Sequence, residues 1–152
     1  MSVSTYLHFD GNCEEVVKFY EQALGAKVPM LLRYKDMPAD AAQEAREHAE
    51  GCSDGQAPGP EMAEKIMHGR VEIGDTVLMV SDGPDSGNFH GFSLSIEADS
   101  PEQGKPLFDA LSEGGQVLMP FAPTFWADAF GMVQDRFGLR WMVNVSKPGM
   151  AP

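Results

Sequence analysis

Asn12-Cys-Glu-Glu-Val-Val-Lys-Phe-Tyr-Glu-Gln-Ala-Leu-Gly25 decides the fold, because a second stretch repeats its plan: Ser100-Pro-Glu-Gln-Gly-Lys-Pro-Leu-Phe-Asp-Ala-Leu-Ser-Glu-Gly114. Each opens on an N-cap residue type, carries apolar side chains at helical spacing, and ends on a glycine suited to the left-handed stop of a helix. Asn12 with Glu15 has the capping-box pattern, and Ser100 is followed by proline at the first helical position. Pro106 predicts an irregular start or a kink. An apolar strand precedes each helix, at 3–9 and 89–97. A strand follows each, at 28–34 and 116–121, and then a hairpin, at 65–73 with 76–81 and at 126–134 with 139–145. The class read from this order is α+β: two βαβββ repeats forming a curved mixed sheet in a single domain over 1–152. Repeat 1 covers about 3–82, repeat 2 about 88–146, and 147–152 is a tail.

Between the strand ending at 34 and the first hairpin lies an insertion, 36–62, rich in Ala, Glu, Gly and Pro. Residues 39–50 have the composition of a short polar helix and 51–60 that of a flexible loop, so disorder or a mobile flap is expected. A net charge of −12 argues against nucleic acid and anionic membranes as partners. No apolar run approaches a membrane span, and residues 2–10 lack the basic start and long apolar core of a signal peptide. A cytoplasmic location is the expectation. Cys13 and Cys52 show neither zinc-ligand spacing nor a disulfide framework, which predicts reduced thiols. Cys13 stands at a helix start, where the dipole lowers a thiol pKa, yet no adjacent base is evident in the sequence. It reads as structural or incidental.

The segments Gly-Asn-Cys-Glu-Glu-Val-Val-Lys-Phe-Tyr at 11–20, Arg-Tyr-Lys-Asp-Met-Pro at 33–38, Lys-Ile-Met-His at 65–68, Val-Leu-Met-Val-Ser-Asp at 77–82 and Asp-Arg-Phe-Gly-Leu-Arg-Trp at 135–141 together resemble the PhnB-like group. That group belongs to the vicinal-oxygen-chelate superfamily, with its glyoxalase/bleomycin-resistance/dioxygenase fold. The resemblance spans nearly the whole chain outside 36–62. PhnB-like proteins are often labelled demethylubiquinone methyltransferases, but no glycine-rich loop follows a strand here, so that chemistry is unsupported. Metal-using members of the superfamily carry His or Glu on the first and fourth strands of each repeat. Their pattern falls on Thr5, Met79, Phe92 and Met142. Hydroxyl, thioether and phenyl groups do not suit a hard or borderline divalent ion, so the resemblance implies the fold with neither a metal nor another cofactor.

Strand alternation then assigns a lining. With Gly74-Asp75 as a two-residue turn, Val77 faces Glu72, Met79 faces Arg70 and Ser81 faces His68. Thr5, Leu7 and Phe9 are placed on the same concave face, and His8 on the opposite one against the first helix. In the second repeat Phe92 and Leu94 join the lining, Met132 faces Met142, Phe130 faces Asn144, and Trp126 and Asp128 share that side. Ala127, Ala129, Gly131 and Val133 are left to pack on a helix. The ligand-binding set is therefore Thr5, Phe9, His68, Arg70, Met79, Phe92, Trp126, Asp128, Phe130 and Met142. Mostly apolar walls with a few polar groups suit a small apolar or aromatic molecule. The alternative is a lyase- or isomerase-type enzyme, or a metal enzyme with relocated ligands, using His68, Glu72 and Asp128. His90 reads as solvent-exposed, and His48 falls in the insertion. A homodimer is expected, because the first and last strands would leave apolar sheet edges open.

Overall fold

A computed structural model describes residues 1, 3–41, 60–83 and 86–150. The strands are β1 Thr5–Phe9, β2 Lys27–Arg33, β3 Ile66–Ile73, β4 Thr76–Asp82, β5 Leu94–Glu97, β6 Gln116–Ala122, β7 Ala127–Gln134 and β8 Arg140–Ser146. The helices are α1 Cys13–Leu24 and α2 Pro101–Ser112. Two four-stranded mixed sheets result, in the orders β1-β4-β3-β2 and β5-β8-β7-β6. In each, the first strand runs parallel to the fourth and the other pairs are antiparallel. This is the doubled βαβββ plan. The chain divides into two compact units, Met1–Glu21 with Gly25–Ser86 and Gln22–Leu24 with Gly87–Pro152.

In the first unit Leu7, Phe9, Val71, Leu78 and Val80 are buried, as are Cys13, Val16, Val17, Phe19 and Tyr20 of α1. Gly69 is required on that side of β3, because a Cβ there would lie 2.8 Å from both Leu31 Cδ1 and Val80 Cγ2. The Asn12 side chain makes no capping bond. Instead the buried Asp82 carboxylate accepts from Cys13 N and Ile66 N, each at 2.9 Å, and so ties the start of α1 to the start of β3. A carboxylate at a helix N-terminus meets both the orphan donors and the dipole, so a residue distant in sequence does the work expected of Asn12.

The second unit buries Ala127, Ala129, Val133, Trp141, Val143 and Val145 of the sheet with Phe108 and Leu111 of α2. Gly131 lies against α2 so closely that a Cβ would come within 2.6 Å of the Phe108 ring. The alternation predicted for β7 holds. Ser100 Oγ accepts from Gln103 N at 3.2 Å, as an N-cap should. The helix runs unbroken across Pro106. Proline at the sixth helical position removes the single bond to the Glu102 carbonyl, with little more than one turn of helix before it.

Several sequence expectations change. β5 is only Leu94–Glu97, so Phe92 lies before it, 41% exposed and edge-on to Phe89. The last strand, β8, is internal, and the sheet edges are β1, β2, β5 and β6. Within the insertion, Pro60–Met62 form a 3-10 turn and Ala39–Ala41 begin a helix. The flap reading, His48 and Cys52 fall on 42–59, outside the described residues.

Candidate functional site

Each sheet turns one face to its helix and leaves the other open, and the ladders state which residues share the open face. In the first unit one row across the sheet is Tyr6–Met79–Arg70–Met30. His8 pairs with Ser81 in the next row, and His68 with Leu32. The predicted pairs Val77–Glu72 and Met79–Arg70 form as read. The predicted parity of β1 does not. Leu7 and Phe9 are 2% and 1% exposed, and Thr5 stands opposite buried Leu78, so Thr5 and Phe9 belong to the helix side. Tyr6 and His8 take the open face in their place. The cause is a one-residue shift, which inverts every side chain of a strand. The signal was present in Tyr6-Leu-His-Phe9, where the more apolar pair sits at positions 7 and 9. The superfamily's ligand pattern overrode it.

Tyr6, His8 and His68 form a connected trio. The Tyr6 hydroxyl lies 3.0 Å from His68 Nδ1, and the His8 ring stacks on Tyr6 with centroids 4.6 Å apart. Ser81 Oγ, 3.1 Å from His8 Nδ1, fixes that ring. Arg70 donates from Nε to Glu72 at 3.1 Å. Glu72 is thus occupied with Arg70 and forms no recorded bond to His68. Beside the trio is a cavity of about 320 Å³ lined by Leu32, Asp36, Met37, Pro38, Ala41 and Met67.

The second unit's open face is mostly apolar. Its rows are Ser95–Met142–Met132–Met119 and Glu97–Asn144–Phe130–Ala122, which contain the predicted pairs Met132–Met142 and Phe130–Asn144. Leu94, predicted to line it, pairs with buried Trp141 and belongs to the helix side. Trp126 packs edge-on to Phe130 at 5.4 Å and to Phe125 at 4.8 Å. Asp128 is exposed at a bulge, since Ala127 pairs with Ser146 and Ala129 with Val145. Asn144 donates to Glu97 at 2.7 Å and to Ser146 at 2.8 Å, while its buried Oδ1 has no partner among the described residues. Burial pushes Glu97 upward, but the bonds it accepts from Ser146 and Asn144 outweigh that and lower its pKa overall.

The residues at the superfamily's aligned ligand positions do not suit its metal. Thr5 faces the helix side, Phe92 offers no donor, and Met79 and Met142 offer only thioethers. Among the described residues no group of three or more His, Cys, Asp or Glu is placed to hold an ion. Cys13 is fully buried, and that burial, with the Asp82 and Glu14 carboxylates nearby, drives its thiol pKa far up. Desolvation and charge therefore override the helix dipole, and the thiol is held un-ionised. His90 is exposed, as read from sequence.

The sequence profile of the Glyoxalase/Bleomycin resistance protein/Dioxygenase superfamily matches residues 3–143. Protein YjdN of Escherichia coli (strain K12) is 38% identical over 149 residues, 97% of either chain. The crystal structure of protein PA1353 from Pseudomonas aeruginosa, also 38% identical, superposes with a TM-score of 0.77 over 96% of this chain and 98% of that one. A PhnB protein from Bacillus cereus, 21% identical, shares the fold with a TM-score of 0.71 over 96% of this chain and all of its own. No helix among the described residues is long and apolar enough to cross a membrane.

Proposed function

This chain belongs to the Glyoxalase/Bleomycin resistance protein/Dioxygenase superfamily, and on that premise we propose that it is a PhnB-like, metal-free protein that binds a small apolar or aromatic molecule on its open sheet faces. The observation that carries the reading is the makeup of those faces. In the second unit Met132, Met142, Phe130 and Trp126 give adaptable apolar area, and in the first Met79 is paired with Arg70 and accompanied by His68 as polar groups. Trp126 supplies a large rigid ring for stacking. Met79 and Met142, the two aligned positions that stand on the open faces, offer only thioethers, and that supports the absence of a resident metal. Elemental analysis after purification without chelators tests that part, and near-stoichiometric zinc, nickel, manganese or iron would refute it. A thermal-shift screen of aromatic acids against wild type, Trp126→Phe and Arg70→Ala tests the binding. If Trp126→Phe folds and no compound shifts the wild-type midpoint, the reading fails.

We place the protein in the cytoplasm as a homodimer. The edge strand β6 supports self-association: it bears no charge, and Val117, Leu118 and Met119 are exposed on it. Light scattering at low micromolar concentration is expected to give about twice the chain mass. Acid–base catalysis is the second reading, favoured by the 3.0 Å contact between Tyr6 and His68.

A further inference from the structure

We propose that the cavity beside Leu32 and the Tyr6–His68 pair are two ends of one site, and that its ligand is a compact amphiphilic carboxylic acid. The inference rests on the small-molecule reading above and specifies where in the first unit the ligand sits and which end leads. Leu32 lines the cavity and is paired with His68 across the β2–β3 ladder, and Met67, also in the wall, precedes His68 in the chain. The cavity and the polar trio therefore adjoin within one sheet.

The cavity takes the apolar body. Its walls are Leu32, Met37, Pro38, Ala41 and Met67, and the two methionines adapt to straight or ring-shaped hydrocarbon alike. The volume of about 320 Å³ is at the small end of ligand pockets, which suits a body of about ten heavy atoms. Asp36, the charged wall residue, accepts from Arg33 N at 2.9 Å. A carboxylate fixed in the wall repels an anionic head, which leaves the Tyr6–His68 pair to receive it.

At that other end the Tyr6–His68 pair keeps a donor to spare in either arrangement of its proton. If the phenol donates to Nδ1, the neutral imidazole carries its hydrogen on Nε2 and can donate it outward. If Nδ1–H donates to the phenol oxygen, the phenol O–H is left for the ligand. A spare donor in both cases calls for an acceptor head, and an ionised carboxylate is the strongest. Arg70 lies one row from His68 on the same face, but the Glu72 carboxylate paired with its Nε offsets its charge, so the specific bond is assigned to the pair. Tyr6 is 38% exposed and reachable.

The test titrates 3-phenylpropionate, octanoate and their neutral amides into the full chain, with binding read by calorimetry and each variant's own melting curve as the check of folding. Both acids should bind with Kd on the order of 0.1–1 mM, and the amides about tenfold more weakly. His68→Gln and Tyr6→Phe should each weaken the acid-over-amide preference, and the double change Tyr6→Phe with His68→Leu, which leaves neither donor, should remove most of it while leaving the amides unchanged. Leu32→Trp, which fills the cavity from a partly exposed position, should abolish binding of all four. If acids bind wild type, His68→Gln and Leu32→Trp equally, binding on the open faces survives and this site is wrong. Equal affinity of wild type for acids and amides also overturns it. If no compound binds here but neutral aromatics do so in the wider screen, the carboxylate assignment falls alone. If nothing binds in either experiment, both readings fall.

Discussion

The two units share a ladder and differ in what they hang on it. The row Tyr6–Met79–Arg70 in the first sheet corresponds to Ser95–Met142–Met132 in the second, so the methionine of the fourth strand is kept while its neighbours change from phenol and guanidinium to hydroxyl and thioether. Where the first sheet pairs His8 with Ser81, the second pairs Glu97 with Asn144. Backbone register is thus independent of open-face chemistry. The helix-facing side sets the register, because only one parity can be buried. The open side is free to vary, which allows one repeat to hold hydrogen-bonding groups and the other hydrocarbon.

The units also differ in where each spends a buried aspartate. Asp135 accepts from Phe137 N, Leu139 N and Trp141 Nε1, each at 3.0 Å, inside the β7–β8 hairpin. Asp82 accepts from Cys13 N and Ile66 N. The largest effects are expected here. Asp135→Ala should strand three donors, two of them buried, and cost about 3–5 kcal/mol, and Asp82→Ala, with two buried donors, about 2–4 kcal/mol, read by urea melts. Equal losses would break the claim that donor count sets the difference.

Glycine substitutions come next. Gly131→Ala drives a methyl toward the Phe108 ring at 2.6 Å and the Phe121 Cα at 3.0 Å, while Gly69→Ala meets only the side-chain ends of Leu31 and Val80. Ring and backbone yield less than methyls, so about 2–3 kcal/mol is expected for Gly131→Ala and about 1 kcal/mol for Gly69→Ala. Reversal of that order would mean that the Leu31 and Val80 methyls around Gly69 are held more rigidly than the Phe108 ring against β7.

An acid limb should belong to the first unit as well. Hydrogen bonds from Arg33 and Lys18 lower the Glu14 pKa from 4.5 to about 2. A depressed carboxylate contributes stability above its unfolded pKa, and that contribution fades as pH falls from 4.5 towards 2. Glu14→Gln should flatten this part of the stability profile by lowering stability above pH 4.5, and only slightly, because the pair is partly exposed. The smallest effect is expected for Tyr6→Phe, within about 0.5 kcal/mol of wild-type stability, since its hydroxyl bond is exposed.

The sequence carried the fold because its strongest signals are local: helical spacing, Ser100 as a cap, the Gly74-Asp75 turn and the small parity of β7. The open face was legible wherever a turn fixed the register, as at Met79–Arg70 and Met132–Met142. It was misread in β1 and β5. Both pair in parallel with a strand far along the chain, so no turn pins them. Tyr6 and His8 were lost by that route, and Asp82 likewise, because a cap donated across 69 residues leaves no local pattern.

That distance bears on the order of assembly. The Asp135 bonds close within six residues, so the β7–β8 turn can lock as soon as its hairpin forms, on a scale of microseconds. The N-terminus of α1 waits for β4, since Cys13 finds its acceptor only once the chain has returned at residue 82. Closing a loop of that length costs chain entropy before any bond repays it. The two repeats therefore reach the same topology on different clocks: the second nucleates on a local clasp, and the first completes itself late, when its helix is finally capped.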